Sequence, residues 1–159
     1  MECDVLIIGS GPAGMSVAMH LKGFSGRVVV MERLSPRMFP RYHSVCGEAV
    51  SDRMFSKVGL EPTAVVRRVY RIEIAYPGGV TTDIPVRGSV VDRPAMLSEM
   101  KGRCDAEFLH GTATRVSQEG DGFLVETTAG PISCRFLIGA DGAHSVVRRD
   151  VFGSEPAML

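Results

Sequence analysis

Six residues, Gly9-Ser10-Gly11-Pro12-Ala13-Gly14, constrain this chain more than any other feature. They fit G-x-G-x-x-G, and their context gives the pattern its meaning. Before them stands the apolar run Val5-Leu6-Ile7-Ile8, which predicts a buried strand over residues 3–8. After them residues 12–22 predict a helix, with Pro12 at the first position, where its missing N–H is not needed. Ala13, Val17, Ala18 and Leu21 are expected on its buried face. Gly9 permits a tight turn, Gly11 lets backbone approach a pyrophosphate, and Gly14 lets helix pack on strand. The helix start then offers free N–H groups and partial positive charge to phosphates. Gly23 and Gly26 close the helix, and residues 27–31 predict a second buried strand. Glu32 ends that strand, 18 residues beyond Gly14, where a carboxylate accepts ribose hydroxyls and repels a 2′-phosphate. The expected nucleotide-binding set is therefore Gly9, Gly11, Pro12, Ala13, Gly14, Glu32 and the adjacent Arg33.

The βαβ start implies a parallel sheet, and the remainder decides which kind of dinucleotide fold it is. A simple NAD dehydrogenase continues with alternating strands and helices. Here residues 33–64 are irregular and rich in Arg, Pro and Gly, with one helix expected near 49–58. Strands at 69–76 and 80–86 flank Pro77-Gly78-Gly79, a hairpin signal. Asp92 reads as the N-cap of a short helix carrying Met96 and Met100 on one face. Residues 107–110, 115–117, 123–128 and 132–138 read as further, antiparallel-looking strands, and a last short helix starts near Ser145. That departure favours a flavoprotein over an NAD enzyme.

Composition narrows the class. Eighteen basic and eighteen acidic side chains cancel, which gives no footprint for nucleic acid. No apolar run approaches the roughly 20 residues that span a bilayer. No signal peptide opens the chain, so the expectation is a cytoplasmic protein, with peripheral membrane contact left open. Cys3, Cys46, Cys104 and Cys134 have no CxxC spacing, so neither a metal site nor a disulfide framework is expected. Cys3 and Cys134 adjoin apolar strand-like runs and are expected to be buried thiols.

A second motif follows the strand at 132–138. Residues 139–148 carry G-A-D-G-x-x-S-x-V-R. This resembles the DG motif of flavoproteins of the para-hydroxybenzoate hydroxylase type. The resemblance implies that Asp141 and Gly142 lie near the pyrophosphate and ribityl chain of FAD, with Ser145 starting the next helix. Val91-Asp92-Arg93 also looks like a family element, in which Arg93 reaches the cofactor, and Thr112-Ala113 lies where the family contacts the adenine side.

The segment Cys46-Gly47-Glu48-Ala49 is similar to the geranylgeranyl reductase family, FAD enzymes that reduce isolated isoprenoid C=C bonds. By that resemblance Cys46, Gly47 and Ala49 touch the isoalloxazine, and Cys46 is the candidate catalytic residue. The residues themselves also allow a partly buried structural thiol. Glu48 could donate a proton or simply start a helix; His43 and Arg41 read as loop and surface residues.

The resemblance covers residues 3–152 and implies one FAD-binding domain over 1–159. Its Rossmann-like α/β core is expected at 1–33 and 104–152, with an inserted antiparallel β layer at 34–103. The implied function is an oxidoreductase of lipid biosynthesis, a flavoprotein acting on geranylgeranyl chains. The implied partners are a prenylated lipid or isoprenoid, an external electron donor (NAD(P)H or ferredoxin), and a C-terminal segment or second chain, because full-length members carry a later Gly-Asp motif and a lipid cavity. Two other readings stand beside it: an aromatic or polyketide monooxygenase, and a truncated FAD-binding module with no activity alone.

Overall fold

The computed structural model describes residues 1–43 and 48–154. The chain divides into two compact units, one formed by Met1–Met38 with the chain from Met100 on, the other by Phe39–Glu99.

The first unit is a six-stranded mixed sheet. Its strands are β1 (Glu2–Ile8), β2 (Val28–Glu32), β6 (Glu107–His110), β7 (Ala113–Glu119), β8 (Gly122–Thr127) and β9 (Ile132–Gly139). The order is β6-β2-β1-β9-β8-β7. β2 and β9 both run parallel to β1, and β6 runs parallel to β2. The β7–β8 and β8–β9 pairs are antiparallel, with the β7–β8 hairpin appended beside β9. The antiparallel reading of 107–110 is thus corrected, because its non-local pairing with β2 is parallel, whereas 132–138 is antiparallel to β8 and also runs parallel to β1.

The central strands are near-continuous apolar runs because both faces are covered. Leu6, Ile7, Val29 and Val30 are fully buried. Each contributes about 1.5–3 kcal/mol of transfer free energy. Helix α1 (Pro12–His20) buries Gly14, Met15 and Ala18. Ala13 is exposed, not on the buried face, because position 14 rather than 13 carries the close contact with the strand turn. Helix α5 (Val146–Phe152) buries Val147. Val147 joins Leu6, Ile8, Val29, Met31, Val125 and Ile132 in the main core. Cys3 and Cys134 are buried, as expected, and sit opposite each other in the β1–β9 register. Burial pushes the Cys134 thiol up to about 11.

The second unit holds a three-stranded antiparallel sheet, ordered β3-β5-β4. Its strands are β3 (Ala49–Ser51), β4 (Val65–Ala75) and β5 (Thr81–Val91). The single helix expected at 49–58 is instead β3 followed by α3 (Asp52–Lys57), since Ala49–Ser51 finds a ladder partner in Gly88–Val90. A six-residue helix, α2 (Met38–His43), lies in the stretch read as irregular. Asp92 caps α4 (Arg93–Gly102), its Oδ1 accepting the Ala95 N–H at 2.9 Å. Arg68 and Ser89 Oγ both donate to the Asp52 carboxylate, tying α3 to the sheet.

Candidate nucleotide-binding site

The site is built at the C-terminal ends of parallel strands β1, β2, β6 and β9. Backbone bonds carry each strand end into its loop. Gly9 N–H donates to Met31 O at 2.8 Å, Ala140 N–H to Ile8 O at 2.9 Å, and Gly111 N–H to Glu32 O at 2.9 Å. The glycine loop and the 139–142 turn are thereby neighbours.

Gly9 has φ +99. A Cβ there would overlap the Ala140 carbonyl, and one at Gly14 would overlap the Gly9 carbonyl. The two motifs therefore pack backbone to backbone, which only glycine allows. Helix α1 has Gly11 as N-cap, no side-chain cap and no acid in its first turn. No side chain caps its first N–H groups, an arrangement that suits a phosphate. Pro12 and Ala13 are exposed on that turn.

Glu32 is half-buried at the end of β2. Its Oε2 accepts the Ser10 N–H at 3.0 Å and the Ser10 hydroxyl at 2.7 Å. Its Oε1 accepts the Leu34 N–H at 2.7 Å. Arg33 beside it is exposed. Ala113, buried at the start of β7, follows the Gly111-Thr112 loop that lies against Glu32.

Asp141 organises the start of α5. Its Oδ1 accepts the Ser145 hydroxyl at 2.6 Å, and its Oδ2 accepts Val146 N–H at 2.7 Å. Ser145 Oγ in turn accepts Arg148 N–H at 3.0 Å. Arg148 Nη2 reaches back to Ala143 O at 2.5 Å. Gly142, with φ +80, is exposed beside this cap.

Gly9, Gly11, Pro12, Ala13, Gly14, Glu32, Arg33, Ala113, Asp141 and Gly142 thus fall in one unit. Ala49 and Arg93 fall in the other; Ala49 opens β3 opposite Val90, and Arg93 opens α4. Cys46 and Gly47 lie outside the described residues. Among the described residues, no group of His, Cys, Asp and Glu is arranged to hold a metal, and no helix is long and apolar enough to cross a membrane. Two residues with no role assigned from sequence stand out: Ser10, the polar member of the glycine loop, and Arg148. A close-packed glycine turn, an uncapped helix start and a strand-end carboxylate fit the ADP half of a dinucleotide.

Comparison with known proteins agrees. A family model described as lycopene cyclase protein matches residues 4–155. The geranylgeranyl diphosphate reductase of Rhodobacter capsulatus is 28% identical over 95% of this chain and 40% of its own. Digeranylgeranylglycerophospholipid reductase 1 of Methanosphaera stadtmanae is 27% identical over 94% of this chain and 40% of its own. The solved structure of PqsL, a probable FAD-dependent monooxygenase from Pseudomonas aeruginosa, superposes with TM-score 0.71 at 21% identity, covering 98% of this chain and 47% of that one. The chain spans about 40% of the length of the curated relatives it matches.

Proposed function

The chain belongs to the lycopene cyclase protein family, and from that premise we propose that it is the FAD-binding portion of an oxidoreductase that reduces isoprenoid C=C bonds in the geranylgeranyl chains of lipids. The observation that carries the reading is the backbone packing of Gly9 on Ala140, with Glu32 at the neighbouring strand end. The names of the curated relatives, two geranylgeranyl-chain reductases, support the reaction and the substrate class.

Each residue has a task. The first-turn N–H groups of α1 take the pyrophosphate, and Glu32 takes the adenosine ribose. Asp141 and Arg148 fix the 141–148 turn so that Gly142 and its neighbours present backbone to the cofactor. When bound and reduced, FAD would supply hydride chemistry for one alkene carbon, the other carbon taking a proton. Cys46 and Gly47 shape the surroundings of the ring, by family resemblance. The electron donor is NAD(P)H or ferredoxin, the protein works in the cytoplasm with peripheral membrane contact, and a further segment or second chain supplies walls for the isoprenoid.

The family description also favours a second reading, cyclisation of an isoprenoid polyene. Mass separates the two. Reduction adds about 2 Da per double bond, by the chemistry of hydrogenation, and cyclisation adds nothing. The binding reading comes first, tested by visible absorption titration of the purified chain with FAD. A shifted flavin spectrum at one FAD per chain is expected; saturable binding of NAD in its place would overturn the reading. Mass spectrometry of geranylgeranyl lipid incubated with FAD, dithionite, the chain and a relative's C-terminal segment then distinguishes reductase from cyclase.

A further inference from the structure

We propose that Ser10 is a positioning residue that fixes the Glu32 carboxylate and so gives the site its preference for an adenosine ribose without a 2′-phosphate. The inference rests on the FAD-binding reading above and adds a determinant that neither sequence motif specifies, since Ser10 occupies a variable position between two fixed glycines.

Ser10 is 6% exposed, one of two buried polar residues among the described ones. Burying a hydroxyl is unfavourable unless it is bonded, and this one is bonded at 2.7 Å to Glu32 Oε2. The Ser10 N–H meets the same oxygen at 3.0 Å. Two donors from one residue on one oxygen form a fork, which holds that oxygen in direction as well as distance. The other oxygen, Oε1, holds the single bond from Leu34 N–H. A carboxylate offers about four lone-pair sites. With two sites taken on Oε2 and one on Oε1, the remaining acceptor capacity is concentrated on Oε1. A glutamate without the fork would turn about three side-chain bonds and present either oxygen. With the fork, one oxygen and one direction face an incoming ribose. A hydroxyl donates to that oxygen, whereas a 2′-phosphate brings negative charge against it.

The geometry makes the side-chain contribution separable. Ser10→Ala deletes the 2.7 Å bond and leaves the backbone N–H in place. Ser10→Thr keeps the hydroxyl. The probes are ADP and 2′-phospho-ADP, titrated calorimetrically into the 159-residue chain, with folding of each variant checked by circular dichroism and thermal melting.

The unmodified chain is expected to bind ADP at least about tenfold more tightly than 2′-phospho-ADP, the scale of one charge-assisted hydrogen bond. Ser10→Ala should weaken ADP about tenfold and leave 2′-phospho-ADP nearly unchanged, so that the ratio collapses toward one. Ser10→Thr should restore the ratio. In a Glu32→Gln background, Ser10→Ala should have no further effect on it. If Ser10→Ala leaves the ratio intact, or lowers both affinities together, the residue is merely structural and the proposal is overturned. The same holds if its effect persists unchanged without the Glu32 carboxylate. Failure of the nucleotide reading itself shows separately, as absence of ADP and FAD binding in the folded, unmodified chain. Should Ser10→Thr not fold, Glu32→Gln alone decides: an unaltered ADP ratio there overturns the proposal from the acceptor side.

Discussion

Gly14 and Cys134 show how much one atom can carry. A methyl at position 14 would lie inside the Gly9 carbonyl and 3.3 Å from the Ala140 Cβ, so backbone must move. Overpacking of this kind typically costs about 1–3 kcal/mol. Gly14→Ala is therefore expected to lower stability in urea by about that amount and to weaken FAD at least about tenfold. Gly23→Ala is the control: its Cβ meets nothing within 4 Å, and only the strain of φ +79 remains. Equal FAD affinities for the two variants would refute the packing argument. At Cys134 the quantity is a proton. Its folded thiol is pushed up to about 11 from an ordinary 9.0 by burial. Below pH 9 both folded and unfolded thiols are protonated, and the contribution is complete. Between pH 9 and about 11 only the unfolded thiol ionises, so stability falls as pH rises, by on the order of 2 kcal/mol in all. Cys134→Ala should flatten that part of the pH–stability curve relative to the parent; identical curves would show that burial of this thiol is not the cause.

Helix α5 tests the same reasoning at the scale of an element. Seven residues of helix are marginal alone. This one is held by Asp141, which takes the Ser145 hydroxyl and the Val146 N–H, and by Ser145, which takes the Arg148 N–H. Asp141→Ala is expected to cost about 1–2 kcal/mol and Ser145→Ala about 1 kcal/mol. The double variant should cost less than the sum, since the two share a bond. Strict additivity in urea titrations would argue against the shared cap. Elements with local signals were legible in the sequence: β1, α1 and β2 around the glycine loop, the Asp92 cap, the start of α5. Ala49–Ser51 was not, because its strand exists only through its ladder with Gly88–Val90. Nor was the parallel pairing of β9 with β1, a strand some 130 residues earlier in the chain, Cys3 opposite Cys134. Glu32 was legible as a strand-end acid, but its fork from Ser10 depends on a fold that joins residues 22 apart. Cys46 and Gly47, read from resemblance, lie outside the described residues and keep their role as proposals.

Across the whole molecule, charge and apolar surface act together. Eighteen acids and eighteen bases give a formal net charge of zero near neutrality. Self-repulsion is then at its minimum, and proteins associate most readily. The β4–β5 hairpin supplies apolar surface. Ile72 pairs with Ile84, Ile74 with Thr82, and Tyr76 N–H donates to Val80 O. Strand alternation puts these on one face, opposite the face carrying Arg71, Glu73 and Asp83. Ile72, Tyr76, Val80 and Ile84 are 48%, 49%, 62% and 40% exposed. Such a patch binds its like once charge no longer keeps copies apart. Static light scattering of the purified chain is therefore expected to peak near pH 7 and to fall on either side. Ile72→Glu with Ile84→Lys removes two members of the patch, places opposite charges across from one another, and leaves net charge at zero. Scattering at pH 7 should then drop although repulsion is unchanged. A peak of undiminished height in that variant would assign association to charge neutrality alone and acquit the hairpin face.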